Sequence, residues 1–398
     1  MTLNLNTFSP AAQNDRPPKD FPQFIPRQSI TVIGAGAFGG WTALHFLRKG
    51  FEVTMVDAWG AGNARSSSGD ETRVIRSTYG ANEFYFNLNV RSLHLWKENE
   101  LRFNRKLFYN TGVLWLCHEE HTALVDDSIP YANAAKMEYE YLTTDQVNKR
   151  FSILNTSDLH HGYFDPFGGY LKAREACVAV CEAFQLEGGT YLQASVKPGN
   201  IRSGSMDPLT LSTGETLKSD FYIFACGSWL GKLFPDILGN YITCTKQEVY
   251  YFGVPENQSL LYDHFPVWVD ADGKDFYYGI ANNTSRGFKV GVDKRGVSFD
   301  PTGDERILDE DVLKEARTFL EHRFPGLQDA PLLESRVCPY ENSPTGNFLF
   351  DIHPDADNVF FLGGGSGHGF KHGPALGELV SNVLTGVSSA PSIFMIND

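Results

Sequence analysis

The chain has 398 residues, 42% hydrophobic and 21% charged, with a formal net charge of −14 at pH 7. That length exceeds one ordinary core and suits two domains, while the hydrophobic share is that of a folded globular protein. So acidic a chain lacks the basic surface that nucleic acid or an anionic membrane requires, and no stretch approaches the ~18 apolar residues of a membrane span.

Residues 1–27, rich in Pro, Asn and Gln and without an apolar core, read as a disordered or surface-draped extension and not as a secretory signal. Ser29 to Ile33 is a β-branched run ending in glycines, followed by an apolar helix pattern from Phe38 to Leu47 that Gly50 caps. Phe51 to Val56 forms a second strand ending at Asp57, which completes a βαβ unit. The pattern then predicts a long helix near Asn87 to Glu100, a strand from Gly112 to Leu116, an amphipathic helix from Tyr170 to Phe184 and a buried parallel strand from Phe221 to Ala225.

From Glu248 to Gly291 the texture changes to aromatic strands: Val249–Phe252, Pro266–Val269, Phe276–Tyr278 and Phe288–Val290. They predict an antiparallel sheet inserted between nucleotide-binding pieces. Helix returns from Leu308 to Phe324, Asn358 to Leu362 is the last strand, and Pro374 to Leu384 the closing helix.

The six cysteines (117, 177, 181, 226, 244 and 338) show neither a CxxC pair nor a disulfide framework, which suits a reducing cytoplasm. Asn-x-Ser/Thr triplets at Asn155, Asn257 and Asn282 carry no meaning without secretion. There is no HExxH and no ligand spacing among the histidines beyond His160-His161 and His368 to His372, so no metal is expected. Ser366 is not a hydrolase nucleophile, because the residue two places on is His368 where G-x-S-x-G needs glycine.

Gly34-Ala35-Gly36-Ala37-Phe38-Gly39 follows a strand and opens a helix, the context a dinucleotide fingerprint requires. Gly34 permits the tight turn, Gly36 lets the backbone approach a pyrophosphate, and Gly39 lets helix and strand pack closely. The helix N-terminus offers free N–H groups and partial positive charge to phosphates, and Asp57 suits a ribose hydroxyl.

Two further segments specify which dinucleotide. Ser68-Gly69-Asp70-Glu71-Thr72-Arg73-Val74-Ile75-Arg76 lies after the second strand, and Cys338-Pro339-Tyr340 precedes Ser366-Gly367-His368-Gly369-Phe370-Lys371. Together with the fingerprint they resemble the monomeric sarcosine oxidase and N-methyltryptophan oxidase family of FAD-dependent amine oxidases. The resemblance covers nearly the whole chain after residue 28.

It implies an α/β fold: a Rossmann-type FAD-binding domain plus a mixed, largely antiparallel catalytic sheet. The FAD domain would be discontinuous (28–107, 166–243 and 335–390), with 108–165 and 244–334 forming the catalytic domain. The resemblance makes Cys338 a covalent thioether ligand of the flavin, and places Arg73 against the ring. Arg76 and Lys371 would hold a substrate carboxylate, a contact suited to a guanidinium. Without the surrounding motif, Arg73 and Arg76 would read as a surface pair on one helical face.

Lys289, in Phe288-Lys289-Val290-Gly291-Val292-Asp293, resembles the lysine that accelerates reaction with O₂, since a cation stabilises developing superoxide. Tyr278 and Tyr340 would line the substrate pocket or serve as core aromatics. Ser68, Thr72, Ala58, Val196, Gly227, Trp229, Gly367, His368, Gly369 and Phe370 complete the expected cofactor cradle. Two departures stand out: Glu71, an acid in a stretch that should favour anions, and Asp293, where the sarcosine oxidases carry histidine. The second disfavours sarcosine and favours a substrate with an added cationic or hydroxyl group.

The implied reaction is oxidation of a carboxylate-bearing secondary amine or amino acid by hydride transfer to FAD, with O₂ reduced to H₂O₂, in a cytoplasmic monomer or small homo-oligomer. A dehydrogenase or tailoring enzyme with another electron acceptor, and a non-catalytic flavin subunit of a hetero-oligomer, remain open alternatives. An NAD-dependent dehydrogenase would share only the first fingerprint.

Overall fold

The computed structural model describes residues 21–119, 121–256, 265–271, 276–281 and 286–396. Most of the expected N-terminal extension, together with Asn257 and Asn282, lies outside the described residues. Two sheets organise them. The first has six strands in the order Leu349–His353, Ala356–Gly363, Phe221–Phe224, Ser29–Ile33, Glu52–Asp57 and Thr190–Gln193. Every neighbouring pair is parallel except the Leu349–His353 edge, which is antiparallel. Buried on both faces, its central strands are nearly continuous apolar runs, as parallel sheets require.

Helix Ala37–Arg48 packs on this sheet with the closing helix Gly373–Leu384 and helix Glu83–Phe103, in one core that includes Ile30, Val32, Trp41, Trp96, Phe360 and Leu376. Asn82 caps the longest of these helices by accepting from the Tyr85 N–H, and Asn104 ends it in the left-handed conformation.

The second sheet has eight strands: Leu332–Asn342, Thr243–Phe252, Phe288–Asp293, Phe276–Ile280, Val267–Ala271, Val113–Cys117, His161–Asp165 and Glu140–Thr143. Its pairs are antiparallel except Val113–Cys117 with Val267–Ala271. Period-two alternation gives it two faces. Phe288 and Val290 join a core with Tyr250, Trp268 and residues of helix Glu310–Arg323, including Leu320. Lys289, Gly291 and Asp293 therefore point the other way, as do Tyr278 opposite Gly291 and Tyr251 opposite Lys289. The site is built on that face.

Two expectations change. The amphipathic helix does not begin at Tyr170: Gly169–Lys172 is a strand between Thr72–Ile75 and Phe108–Tyr109, and the helix is Ala173–Leu186. The boundary expected at residue 335 falls inside the strand Leu332–Asn342, which pairs throughout with Thr243–Phe252. Cys338 and Tyr340 thus belong to the eight-stranded sheet.

Candidate active site

A cavity of about 470 Å³, a size typical of small-molecule sites, opens beyond the carboxyl ends of the first sheet's strands and reaches the inner face of the second. Gly34 shapes its floor: φ is +112°, and a Cβ there would lie 2.2 Å from the Ala225 carbonyl oxygen. A Cβ on Gly39 would meet the Gly34 carbonyl at 1.9 Å, so Gly39 serves the packing of helix against turn and is not on the wall. Gly36 faces open space, with only Ser68 Oγ within reach at 3.5 Å.

No side chain caps helix Ala37–Arg48, although the Ala37 N–H donates to Ser68 Oγ at 3.3 Å. Its positive end is left to a ligand, beside Gly36 and Phe38 on the wall. Asp57 accepts from the N–H groups of Ala35, Trp59 and Gly60 at 2.8, 2.9 and 2.9 Å, and burial raises its pKa. It first holds the turn, with lone pairs to spare for a hydroxyl. Ala58, Val196, Gly227 and Trp229 line the same end. The Trp229 ring packs on Trp59 with 4.8 Å between centroids. This cradle fits a dinucleotide.

Further along, Asp70 is the charge that the sequence hides. Its side chain is fully buried, and Oδ2 accepts from Arg73 Nη1 at 2.6 Å and from Lys289 Nζ. Tyr251 Oη donates to Oδ1 at 2.6 Å. Lys289 also donates to the Thr72 carbonyl at 2.9 Å. Burial works against the Asp70 carboxylate, but Lys289 and Arg73 overcome it and hold the group well below the usual carboxylate range. Lys289 is pulled below an ordinary lysine by its own burial, with Asp70 resisting. Arg73 lines the cavity; Thr72, Lys289 and Cys338 border that wall without lining it. Cys338 is buried, its thiol pushed up by burial and by Asp70 and drawn down by neighbouring Arg73. Glu71, the expected oddity, points elsewhere and gathers Arg174, Arg286 and Arg336 at 3.5–3.6 Å.

The remaining end carries two cations. The Arg76 guanidinium lies 4.9 Å from the Tyr79 ring centroid and 5.0 Å from that of Trp115, and Lys371 Nζ lies 5.1 Å from the Tyr79 ring. Lys371 Nζ donates to the His368 carbonyl at 2.8 Å, and Arg76 to the Thr78 carbonyl. Neither forms a salt bridge among the described residues. Burial, reinforced by Arg76, pulls the Lys371 amine well below its ordinary value, while Asp293 pushes it back. Tyr79 Oη shares hydrogen bonds with His372 Nε2 at 2.6 Å and His368 Nδ1 at 3.2 Å. Burial and Lys371 bring His368 down to about 3, so its ring is neutral.

Tyr278 and Tyr340 also line the wall and are hydrogen-bonded to each other, with burial raising both phenols. Gly367 makes room for Tyr340: a Cβ there would lie 2.6 Å from the ring, and its φ is +81°. His368, Gly369 and Phe370 follow it along the wall. Asp293 accepts from Arg295 Nη1 at 2.8 Å, and Arg295 Nη2 donates to the Ser366 carbonyl at 3.0 Å, so the acid carries its own counter-ion.

The fold therefore gathers Gly34, Gly36, Phe38, Asp57, Ala58, Ser68, Arg73, Arg76, Val196, Gly227, Trp229, Tyr278, Asp293, Tyr340 and residues 367–371 on one cavity, and leaves Gly39, Thr72, Lys289 and Cys338 off its wall. Sequence reasoning missed Asp70, Tyr79, Trp115, Arg295 and Glu341. Of these, Asp70 stood inside a motif already noted, where an acid beside Arg73 was the available signal, and Glu341 directly follows Cys338-Pro339-Tyr340.

Comparisons with known proteins agree with this architecture. A monomeric sarcosine oxidase of Bacillus sp. (strain B-0618) is 29% identical over 375 residues, covering 92% of this chain and 95% of its own. An N-methyl-L-tryptophan oxidase of Yersinia pestis (strain Pestoides F) is 26% identical over 358 residues, covering 88% and 93%. The crystal structure of L-proline dehydrogenase from P. horikoshii superposes with a TM-score of 0.79 at 22% identity, covering 93% of this chain and 96% of that one. Among the described residues no helix is long and apolar enough to cross a membrane, and no acid, His or Cys cluster could hold a metal. Residues 29–383 match the family described as DAO, FAD dependent oxidoreductase, and the chain belongs to that family.

Proposed function

We propose that the protein oxidises a secondary amine or amino acid bearing a carboxylate, with O₂ as the final electron acceptor and H₂O₂ as product. The observation that carries this reading is the pair Arg76 and Lys371 around the Tyr79 ring, on the cavity that also holds the dinucleotide cradle. Buried Lys371 and half-buried Arg76, neither in a salt bridge among the described residues, favour an anion, and a carboxylate fits a guanidinium at two points. Their field also disfavours a substrate ammonium, so the bound amine sheds the proton that would block its oxidation. FAD, when bound, supplies the hydride acceptor and the route of electrons to oxygen.

Lys289 supplies positive charge that persists in a buried site because Asp70 compensates it. Cys338 is the residue for covalent attachment: it shares a strand face with Tyr340, two residues on, which lines the cavity. Relatives named for sarcosine and N-methyl-L-tryptophan support an N-methyl amino acid as substrate class. Asp293 shifts preference toward a substrate carrying a further hydroxyl or cationic group, which would displace Arg295 from it.

A panel of N-methyl and cyclic amino acids, each with its decarboxylated analogue, tests the reading by H₂O₂ release. Acids should turn over and analogues should not. Equal turnover of both, or anaerobic flavin bleaching with no peroxide formed in air, would sink it.

A further inference from the structure

Glu341 is a buried acid on the cavity wall to which neither the carboxylate contact nor the oxygen chemistry gives a task. Its residue is 8% exposed, it lines the cavity, and Oε2 has no hydrogen-bond partner among the described residues. The N–H groups of Gly364 and Gly365 point at the carboxyl. Glycines make the room around it: a Cβ on Gly365 would lie 3.2 Å from Oε1, one on Gly363 3.1 Å from Oε2, and one on Gly227 3.9 Å from both oxygens. Next to Gly227, Ser228 places a buried hydroxyl on the same wall, with the Cys244 thiol beside it and no oxygen or nitrogen partner among the described residues. A carboxyl oxygen and a hydroxyl left with spare bonding capacity on one wall mark a place where a ligand supplies the missing bonds.

Position identifies that ligand. Cys226 lies within the electrostatic reach of both Asp57 and Glu341, so the acid stands near the ribose end of the cavity. Its chain neighbour Tyr340 is at the substrate end, against Gly367. Glu341 is therefore between the two, where a bound dinucleotide must lay its linker of phosphates and polyhydroxylated chain. A carboxylate repels phosphate, and the phosphates have the uncapped helix at Gly36. A hydroxyl donates to a carboxylate in a charge-assisted bond. Burial brings the acid up to about 7, as expected of a carboxyl whose second oxygen is unmet.

We propose that Glu341, together with Ser228, receives a hydroxyl of the cofactor's ribityl chain and so sets the position of the ring before Arg73. This rests on the FAD site described above. The test uses the full chain carrying Cys338→Ser, which keeps association reversible, prepared as apoprotein under riboflavin limitation. FAD and its 2′-, 3′- and 4′-deoxyribityl analogues are titrated by quenching of flavin fluorescence. One analogue should bind at least about tenfold more weakly than FAD, and Glu341→Ala should abolish that difference. Glu341→Met, closer in volume, gives the same comparison should the alanine variant not fold. Equal penalties for every analogue with and without the Glu341 carboxyl would overturn the proposal. Failure of the Cys338→Ser chain to bind FAD at all would overturn the FAD site with it.

Discussion

Asp70→Asn isolates the device that keeps two cations beside the cavity. The side chains of Asp70 and Lys289 are 0% and 1% exposed, and Arg73 is 18% exposed. The substitution keeps the shape but removes the one acid that, among the described residues, pairs with both Arg73 and Lys289. Breaking a buried pair by removing one partner costs about 3–5 kcal/mol, because the remaining charge stays desolvated. With an unfolding entropy of ~2.1 cal/mol/K per residue, that lowers the melting temperature of a chain this long by about 4–6 °C. Lys289→Met added to Asp70→Asn should recover a large part of the loss by deleting the stranded cation.

The pH dependence has a definite sign. Asp70 is held below its unfolded value of about 3.9, so its contribution is complete above that pH and is lost as pH falls toward the folded value. The gap between wild type and Asp70→Asn should therefore close in acid. Thermal unfolding followed by circular dichroism, on flavin-loaded samples of both proteins, measures these shifts. A variant melting within about 1 °C of wild type at neutral pH would refute the account of Asp70 as counter-ion.

Lys289→Met should slow flavin reoxidation by O₂ by roughly 10²–10³ while leaving reduction by substrate nearly unchanged, as stopped-flow traces would show. Cys338→Ser should release FAD on denaturation, whereas the intact wild-type chain should retain the added mass in a mass spectrum. Because burial and Arg76 depress the Lys371 amine, affinity for a simple carboxylate such as propionate should fall as pH rises through that lowered value. Lys371→Arg should hold its affinity into alkaline solution, since a guanidinium stays charged; the flavin absorbance reports binding. Asp293→His should free Arg295 from its partner and shift activity in the amine panel toward N-methyl amino acids without an added hydroxyl or cationic group.

The parts of this molecule that were legible in the sequence are those whose signals are local. Ser29–Ile33, the Gly34 turn and helix Ala37–Arg48 announce themselves through β-branched runs, a glycine spacing and a 3.6-residue period, none of which needs a distant partner. Gly169–Lys172 failed for the opposite reason. Its alternation is too short to break the helical pattern after it, and it becomes a strand only because Thr72–Ile75 and Phe108–Tyr109 flank it. The ion pair of Asp70 with Lys289 spans 219 positions, and no periodicity carries such a pairing. Tyr79 carries no local signal of its own. Its place between Arg76 and Lys371 depends on the closing segment folding back over it.

Charge distribution gives one more step toward the substrate. The chain carries −14 overall, yet its cavity wall presents Arg73, Arg76, Lys232 and Lys371, with Lys289 and Arg295 adjoining, against Asp57, Asp293 and Glu341 on the wall and Asp70 beside it. At long range so acidic a surface opposes anions, although salt limits that field to a Debye length of ~8–10 Å. Inside, the cations attract the same anions strongly because the site is desolvated. A simple carboxylate meets both effects, a repulsive approach and an attractive site. A zwitterionic amino acid carries no net charge and crosses the outer field without penalty. On the proposed function its carboxylate would then be held by Arg76 and Lys371, and the same cations would favour loss of the proton from its nitrogen. The proposed function thus predicts selection against dianions and against amines lacking a carboxylate alike. Association rates should therefore rise with added salt for a net-negative acid and stay flat for a zwitterion, and a rise for both would show that the surface field does not discriminate.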